Sequence, residues 1–204
     1  LATLKHAMSA LAKPSAKAIP ERGTLMAQPV ESIKLANMWQ PLEAEGFDLS
    51  PFHHFASVAQ ITANEFEACD IRPLGAPTDL FEFDFTNPSI APARSAQELI
   101  CQNAGTVHAV LASFKMDLSP GIQLTNGVEA GGHWGRTAFL LDTPQQAQGS
   151  DQLAVVAQHD SSTLSMTLGE MTRPNATLGH RGWVAINNQF RPHDQVLAPV
   201  GLPH

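Results

Sequence analysis

The chain has 204 residues, 43% of them hydrophobic, enough for one domain with a sizeable core and too many for a disordered tail. Charged residues make up only 15%, so the surface must rely on Ser, Thr, Asn, Gln and Gly. The net charge of −7 argues against the basic stripe that a nucleic-acid partner needs; it permits a cationic partner and also serves ordinary solubility.

Two isolated cysteines, Cys69 and Cys101, fit no zinc spacing. Free thiols in a reducing, cytoplasmic compartment are expected rather than a disulfide. No apolar run reaches the ~18 residues of a membrane span, and no charged leader precedes an apolar segment, so no membrane partner is expected. The chain opens on Leu1, inside a helical pattern, which suggests that it begins partway through a longer protein.

Leu1, Leu4, Met8 and Leu11 share one face, with Ala7 beside them, until Pro14 stops the helix. Such a helix either caps the domain that follows or belongs to an upstream one. Residues 16–31 read as extended, and Pro29 makes the second part an edge or an interrupted strand. Between 32 and 66 the spacing becomes mixed, with breaks at Pro41 and Ser50-Pro51. Short helices on a projection are expected there. They carry four large aromatics, Trp39, Phe47, Phe52 and Phe55, which either meet a partner or fold back on the chain's own core.

From residue 79 the period is two. Leu80-Phe81-Glu82-Phe83-Asp84-Phe85 alternates strictly, and strands are expected at 97–103 and 105–118. In the second of these, Val107, Ala109 and Leu111 make the other face apolar as well, before Ser113, Lys115 and Asp117 turn it polar. Further strands are expected at 121–128, 136–142, 152–159 and 162–168. Short strands without intervening amphipathic helices indicate a mainly β protein, an antiparallel sandwich or barrel. Residues 169–204 are weakly patterned, with a possible strand at 183–186, and read as an irregular tail.

No glycine-rich phosphate loop, nucleophile elbow or zinc-protease motif occurs. Nine histidines are scattered without ligand spacing. No metal and no cofactor-binding residue is therefore expected within the chain. What stands out is Gly131-Gly132-His133-Trp134-Gly135, a turn that sets a proton donor or acceptor beside a flat π surface. Its bland alternative is a hairpin whose Trp plugs the core.

The segment from Gly132-His133-Trp134-Gly135-Arg136-Thr137 through Asp142 resembles the Thr-His-Trp loop and following strand of the protein arginine N-methyltransferases. In that family the tryptophan is followed by Lys or Met, then Gln, then apolar residues. Other segments resemble the family in order: Leu4-Lys5-His6-Ala7 to Ile19-Pro20, Trp39 to Ser50, Phe81 to Phe85, residues 105–118, and 149–160. Together they cover roughly residues 1–168 and are most similar to the tandem-module branch that makes monomethylarginine.

The resemblance implies a substrate-binding barrel domain at 21–168 with a helical dimerisation arm inserted at about 32–67. Residues 1–20 would be the end of a Rossmann-like cofactor domain lying upstream, and 169–204 a tail. It implies S-adenosylmethionine as cofactor of the full-length protein, an arginine-containing protein substrate, and a homodimer formed through Trp39, Phe47, Phe52 and Phe55. His133 would be catalytic, by a hydrogen bond that fixes a pocket glutamate or relays a proton. Trp134 would stack on the substrate arginine, and Gly132 would stand beside it where the family has threonine. Two readings from other classes stay open: a non-catalytic interaction module derived from the family, and a small β-barrel metalloprotein.

Overall fold

The computed structural model describes residues 1–174; most of the expected tail, with its possible strand at 183–186 and with His180, His193 and His204, lies outside the described residues. Helix α1 (Ala2–His6) runs on as a π-helical turn over Ala7–Leu11 and stops short of Pro14. Leu4 and Met8 are half-covered and Leu11 is exposed. The Leu1 nitrogen lies 3.4 Å from the Ser161 carbonyl, so the start of this helix meets the β body.

Strand β1 (Arg22–Glu31) leads into α2 (Ile33–Trp39), whose first turn is capped by the Ser32 hydroxyl accepting from the Leu35 N–H at 3.0 Å. A hairpin of β2 (Glu43–Ala44) and β3 (Phe47–Asp48) turns through Glu45 and Gly46, both at positive φ, as a two-residue hairpin turn of this kind requires. A 3-10 helix (Ser50–Phe55) carries Pro51 in its first turn, where a missing N–H is harmless. Strand β4 (Val58–Ile61) and helix α3 (Ala63–Ala68) follow, with Thr62 and Glu65 forming a reciprocal capping box. Then come β5 (Arg72–Pro73), β6 (Thr78–Asp84), β7 (Ala93–Ile100), β8 (Gly105–Ser119), β9 (Ile122–Thr125), β10 (Arg136–Ala147), β11 (Gln152–His159) and β12 (Leu164–Thr172).

Short helices alone were expected between 32 and 66, and the structure corrects this. That region also holds the β2–β3 hairpin and β4, which joins the main sheet by pairing with β10. In sequence Val58-Ala59-Gln60-Ile61 does not alternate apolar with polar, so the period-two signal of a strand is missing there. The edges of other strands move as well. β7 begins at Ala93 and ends at Ile100 rather than spanning 97–103. β12 begins only at Leu164, because the Asp160 carboxylate first accepts from the Ser162 and Thr163 N–H groups in a tight turn. It then runs to Thr172, past the expected start of the tail.

All ladders among the described residues are antiparallel. The main sheet has the order β4-β10-β8-β1-β5, with β6 also on β1 and β9 on β8; the second has the order β12-β11-β7. The fold is thus mainly β and barrel-like, but the ring is not one continuous ladder. At one seam the Gln145 side chain stands in for a strand: its amide donates to the Gly169 carbonyl at 3.3 Å and accepts from the Met171 N–H at 2.6 Å.

β8 divides two cores. Val110 faces the first, with Leu80, Phe81, Leu99 and Leu153; Ala109 and Leu111 face the second, with Leu35, Ile61 and Leu140. Residues 107–113 are buried on both faces and 114–118 only partly, matching the point at which the polar residues begin. Pro29, expected at an edge or a break, sits inside a strand paired on both sides. Its carbonyl accepts from the Leu74 N–H, so its missing N–H faces the same side, where β1 changes partner from β6 to β5. The ladder is already interrupted there.

Gly75 has no room for a side chain, because an added Cβ would meet the Ile100 carbonyl backbone. Gly75→Ala is therefore expected to lower the unfolding free energy by about 1–3 kcal/mol in urea titrations. Gly131→Ala, whose Cβ would meet nothing within 4 Å, should stay within ~0.5 kcal/mol of the parent.

Candidate functional site

The turn singled out in the sequence belongs to a longer loop, residues 126–135, joining β9 to β10. β9 ends where the buried Asn126 replaces a ladder partner. Its Oδ1 accepts from the Phe114 N–H at 2.7 Å, and its Nδ2 donates to the Gly135 carbonyl at 3.0 Å. One side chain thus ties β8 to the far end of the loop.

Arg136, the first residue of β10, is 4% exposed. Its Nε donates to the Asn126 carbonyl at 2.8 Å and its Nη1 to that of Trp134 at 3.0 Å. Its Nη2 donates to the carbonyls of Gly127 at 3.2 Å and Ala130 at 2.6 Å. All four hydrogen-bond acceptors of this guanidinium are backbone oxygens of the loop. Burial alone pulls the guanidinium pKa below its ordinary value, and the four carbonyl dipoles take the place of water around the charge.

On this pinned loop the rings of His133 and Trp134 stack, with centroids 5.0 Å apart and planes 27° apart. Both residues are exposed, so Trp134 is no core plug; it meets Phe114 edge-on at 5.6 Å. Gly132 has φ +120°, a backbone state closed to β-branched residues. The residue that stands where the resembling family has threonine is thus held in a conformation threonine does not adopt. Phe114 continues inward as one wall of an apolar cleft of about 240 Å³, shared with Leu25, Phe83, Phe85, Met116 and His159.

In the arm region, Phe47, Phe52 and Phe55 are exposed, and Leu42 with them. Trp39 departs from that set: it is half-buried and packs on the second core, so it is not part of the outward apolar face. Cys69 and Cys101 are both buried free thiols, and burial pushes both above the ordinary thiol value, away from nucleophile chemistry.

Sequence reasoning missed Asn126 and Arg136. A charged residue opening the apolar run Arg136-Thr137-Ala138-Phe139 was the one available signal. No strand among the described residues passes through a glycine-rich turn into a helix, and no carboxylate lines the apolar cleft beside Phe114. Nor do the described residues place three or more His, Cys, Asp or Glu around a metal ion.

A family model described as "Arginine methyltransferase oligomerization subdomain" matches residues 21–168. The chain is similar to "Protein arginine N-methyltransferase 7" of Caenorhabditis briggsae, 25% identical over 80% of this chain and 27% of that protein. It is also similar to "Arginine N(omega)-methyltransferase" of Streptomyces achromogenes subsp. streptozoticus, 25% identical over 82% of this chain and 46% of that protein. The chain therefore spans less than half the length of either relative. Among solved structures, a chain of the Trypanosoma brucei PRMT1 enzyme-prozyme heterotetrameric complex with AdoHcy shares the fold. Its TM-score is 0.58 at 16% identity, over 76% of this chain and 51% of that one.

Asn126→Ala is expected to cost about 1–3 kcal/mol of stability, because it strands a backbone donor at Phe114 and an acceptor at Gly135. Asn126→Asp keeps the acceptor but sets a carboxylate oxygen against the Gly135 carbonyl in a buried site, and should cost at least as much as Asn126→Ala in urea titrations.

Proposed function

The chain belongs to the arginine methyltransferase oligomerization subdomain family, and from that premise we propose that it is the substrate-wall and dimerisation half of an S-adenosylmethionine-dependent protein arginine methyltransferase. The observation that carries this reading is the stacked, exposed His133–Trp134 pair on a loop pinned from beneath.

An arginine guanidinium is planar, permanently charged and rich in donors. Methylating it requires that the cation be gripped, turned to present one nitrogen, and shielded from water. Trp134 supplies a π face for that cation, worth roughly 0.5–2 kcal/mol depending on desolvation. His133 supplies a ring nitrogen that can hydrogen-bond a carboxylate gripping the guanidinium from the opposite side, or relay a proton. The cofactor and those carboxylates belong to a domain outside this chain.

Phe47, Phe52, Phe55 and Leu42 form the apolar face through which a second copy would dock, giving a homodimer. The free buried thiols suit a reducing, cytoplasmic setting. A second reading, an interaction module without catalysis, is favoured by Gly132, whose backbone state excludes the family's threonine and with it a hydroxyl beside the pocket.

The chain by itself is expected to show no heat of S-adenosylmethionine binding in titration calorimetry; measurable binding would overturn the assignment of the cofactor site to another domain. In the polypeptide that joins this chain to its cofactor domain, His133→Ala and Trp134→Ala should each lower turnover by ~10–100-fold while the cofactor Kd stays within about twofold. No turnover in the parent polypeptide would favour the interaction module, unchanged turnover in the variants would remove the roles given to His133 and Trp134, and parallel loss of cofactor affinity would mean that the loop is only structural.

A further inference from the structure

Arg136 is the one buried cation among the described residues that touches both the His133–Trp134 loop and the arm. Its edge is taken up by four loop carbonyls, Asn126, Gly127, Ala130 and Trp134. Its face is taken up by α3: Cζ lies 3.7 Å from the centroid of the Phe66 ring. Phe66 is half-buried against the second core, on a helix fixed at its start by the Thr62–Glu65 capping box. The backbone adds a second link. Arg136 stands opposite Ile61 in the β10–β4 ladder, and Gly135 passes so close to the Ile61 carbonyl that an added Cβ would lie 3.1 Å from it.

We propose that Arg136 is the positioning residue of the His133–Trp134 wall and that Phe66 is its second anchor, so that α3 of the arm and the wall are held as one unit. This rests on the reading of that loop as a substrate wall, but the geometry that supports it does not depend on activity. Only a guanidinium suits both demands. It carries five donors in one plane, enough to reach four carbonyls spread along the loop, and it keeps a flat face free to lie on an aromatic ring. Lysine keeps the charge, but it has three donors on a point charge and no face. Glutamine, which the resembling family has two residues after its tryptophan, has two donors and no charge. The absence of a carboxylate from these contacts fits the role. A carboxylate would draw the guanidinium to one point, whereas four carbonyls distribute its pull over the loop that must keep its shape.

The probe is the Trp134 indole in protein labelled with 5-fluorotryptophan, its ¹⁹F resonance assigned by its loss in Trp134→Phe. Stacked on His133 and edge-on to Phe114, the ring has a ring-current shift that reports its position. In Arg136→Lys and Arg136→Gln the resonance is expected to move towards that of the denatured chain, and its H₂O/D₂O solvent shift to rise at least ~twofold as the ring frees itself. Phe66→Leu leaves every hydrogen bond of Arg136 in place, and it should move the resonance in the same direction by a smaller amount. If the resonance keeps its shift and solvent response in folded Arg136→Lys or Arg136→Gln, Arg136 does not position the wall. If it does so in Phe66→Leu, the coupling to α3 is wrong. Should one Arg136 variant fail to fold, the other carries the test of Arg136, and Phe66→Leu that of the coupling to α3. Because the readout is spectroscopic, its failure is distinct from a failure of the methyltransferase reading, which the turnover of Trp134→Ala decides.

Discussion

A buried charge must find its solvation in the protein, and Arg136, with no counter-ion among the described residues, finds it in four carbonyls of a single loop. That constraint fixes much else. The loop must curl around the guanidinium so that residues as far apart as Asn126 and Trp134 present their oxygens to it. The curl places His133 and Trp134 on the outside, and it calls for a residue at 132 that accepts φ +120°. Gly132 is thus a consequence of the loop's shape.

The scaffold beneath the loop depends on a strand with two apolar faces. β8 separates the two cores, so neither is complete without it: Val110 seals one while Ala109 and Leu111 seal the other. Where the second face turns polar, the strand leaves cover, and there Phe114 and Met116 line the apolar cleft. Phe114 is also the residue whose N–H holds Asn126 and whose ring meets Trp134. The site therefore stands where the strand passes from full to partial burial. At such a point the backbone is rigid enough to position a loop and open enough to display it.

The arm shows the opposite physics. Its helices are short, and its hairpin strands have two residues each and are exposed. Phe47, Phe52 and Phe55 are left facing solvent, a cost that a partner surface would remove. Its inner side is different. Trp39 and Phe66 pack on the second core, β4 is a strand of the main sheet, and Arg136 lies on Phe66. The arm thus has an outer face suited to assembly and an inner face continuous with the candidate site.

Much of the fold was legible in the residues. The alternation at 80–85 and 164–168 and the two-faced apolar run of β8 reflect burial, which each residue declares by its own polarity, and so a mainly β antiparallel protein followed from sequence alone. The Gly-Gly-His-Trp-Gly turn was visible for the same reason, since glycines mark unusual backbone wherever they cluster. What the sequence could not declare are properties of pairs distant along the chain. Pro29 is tolerated inside a paired strand because β6 gives way to β5 at that point. β4 becomes a strand only because β10 lies beside it, and Gln145 serves as a strand edge only because β12 ends nearby. Arg136 read as a charge at the head of a strand. Only tertiary structure brought four carbonyls and a phenyl ring around it, because a hydrogen-bonding group shows its chemistry in sequence but finds its partners in space.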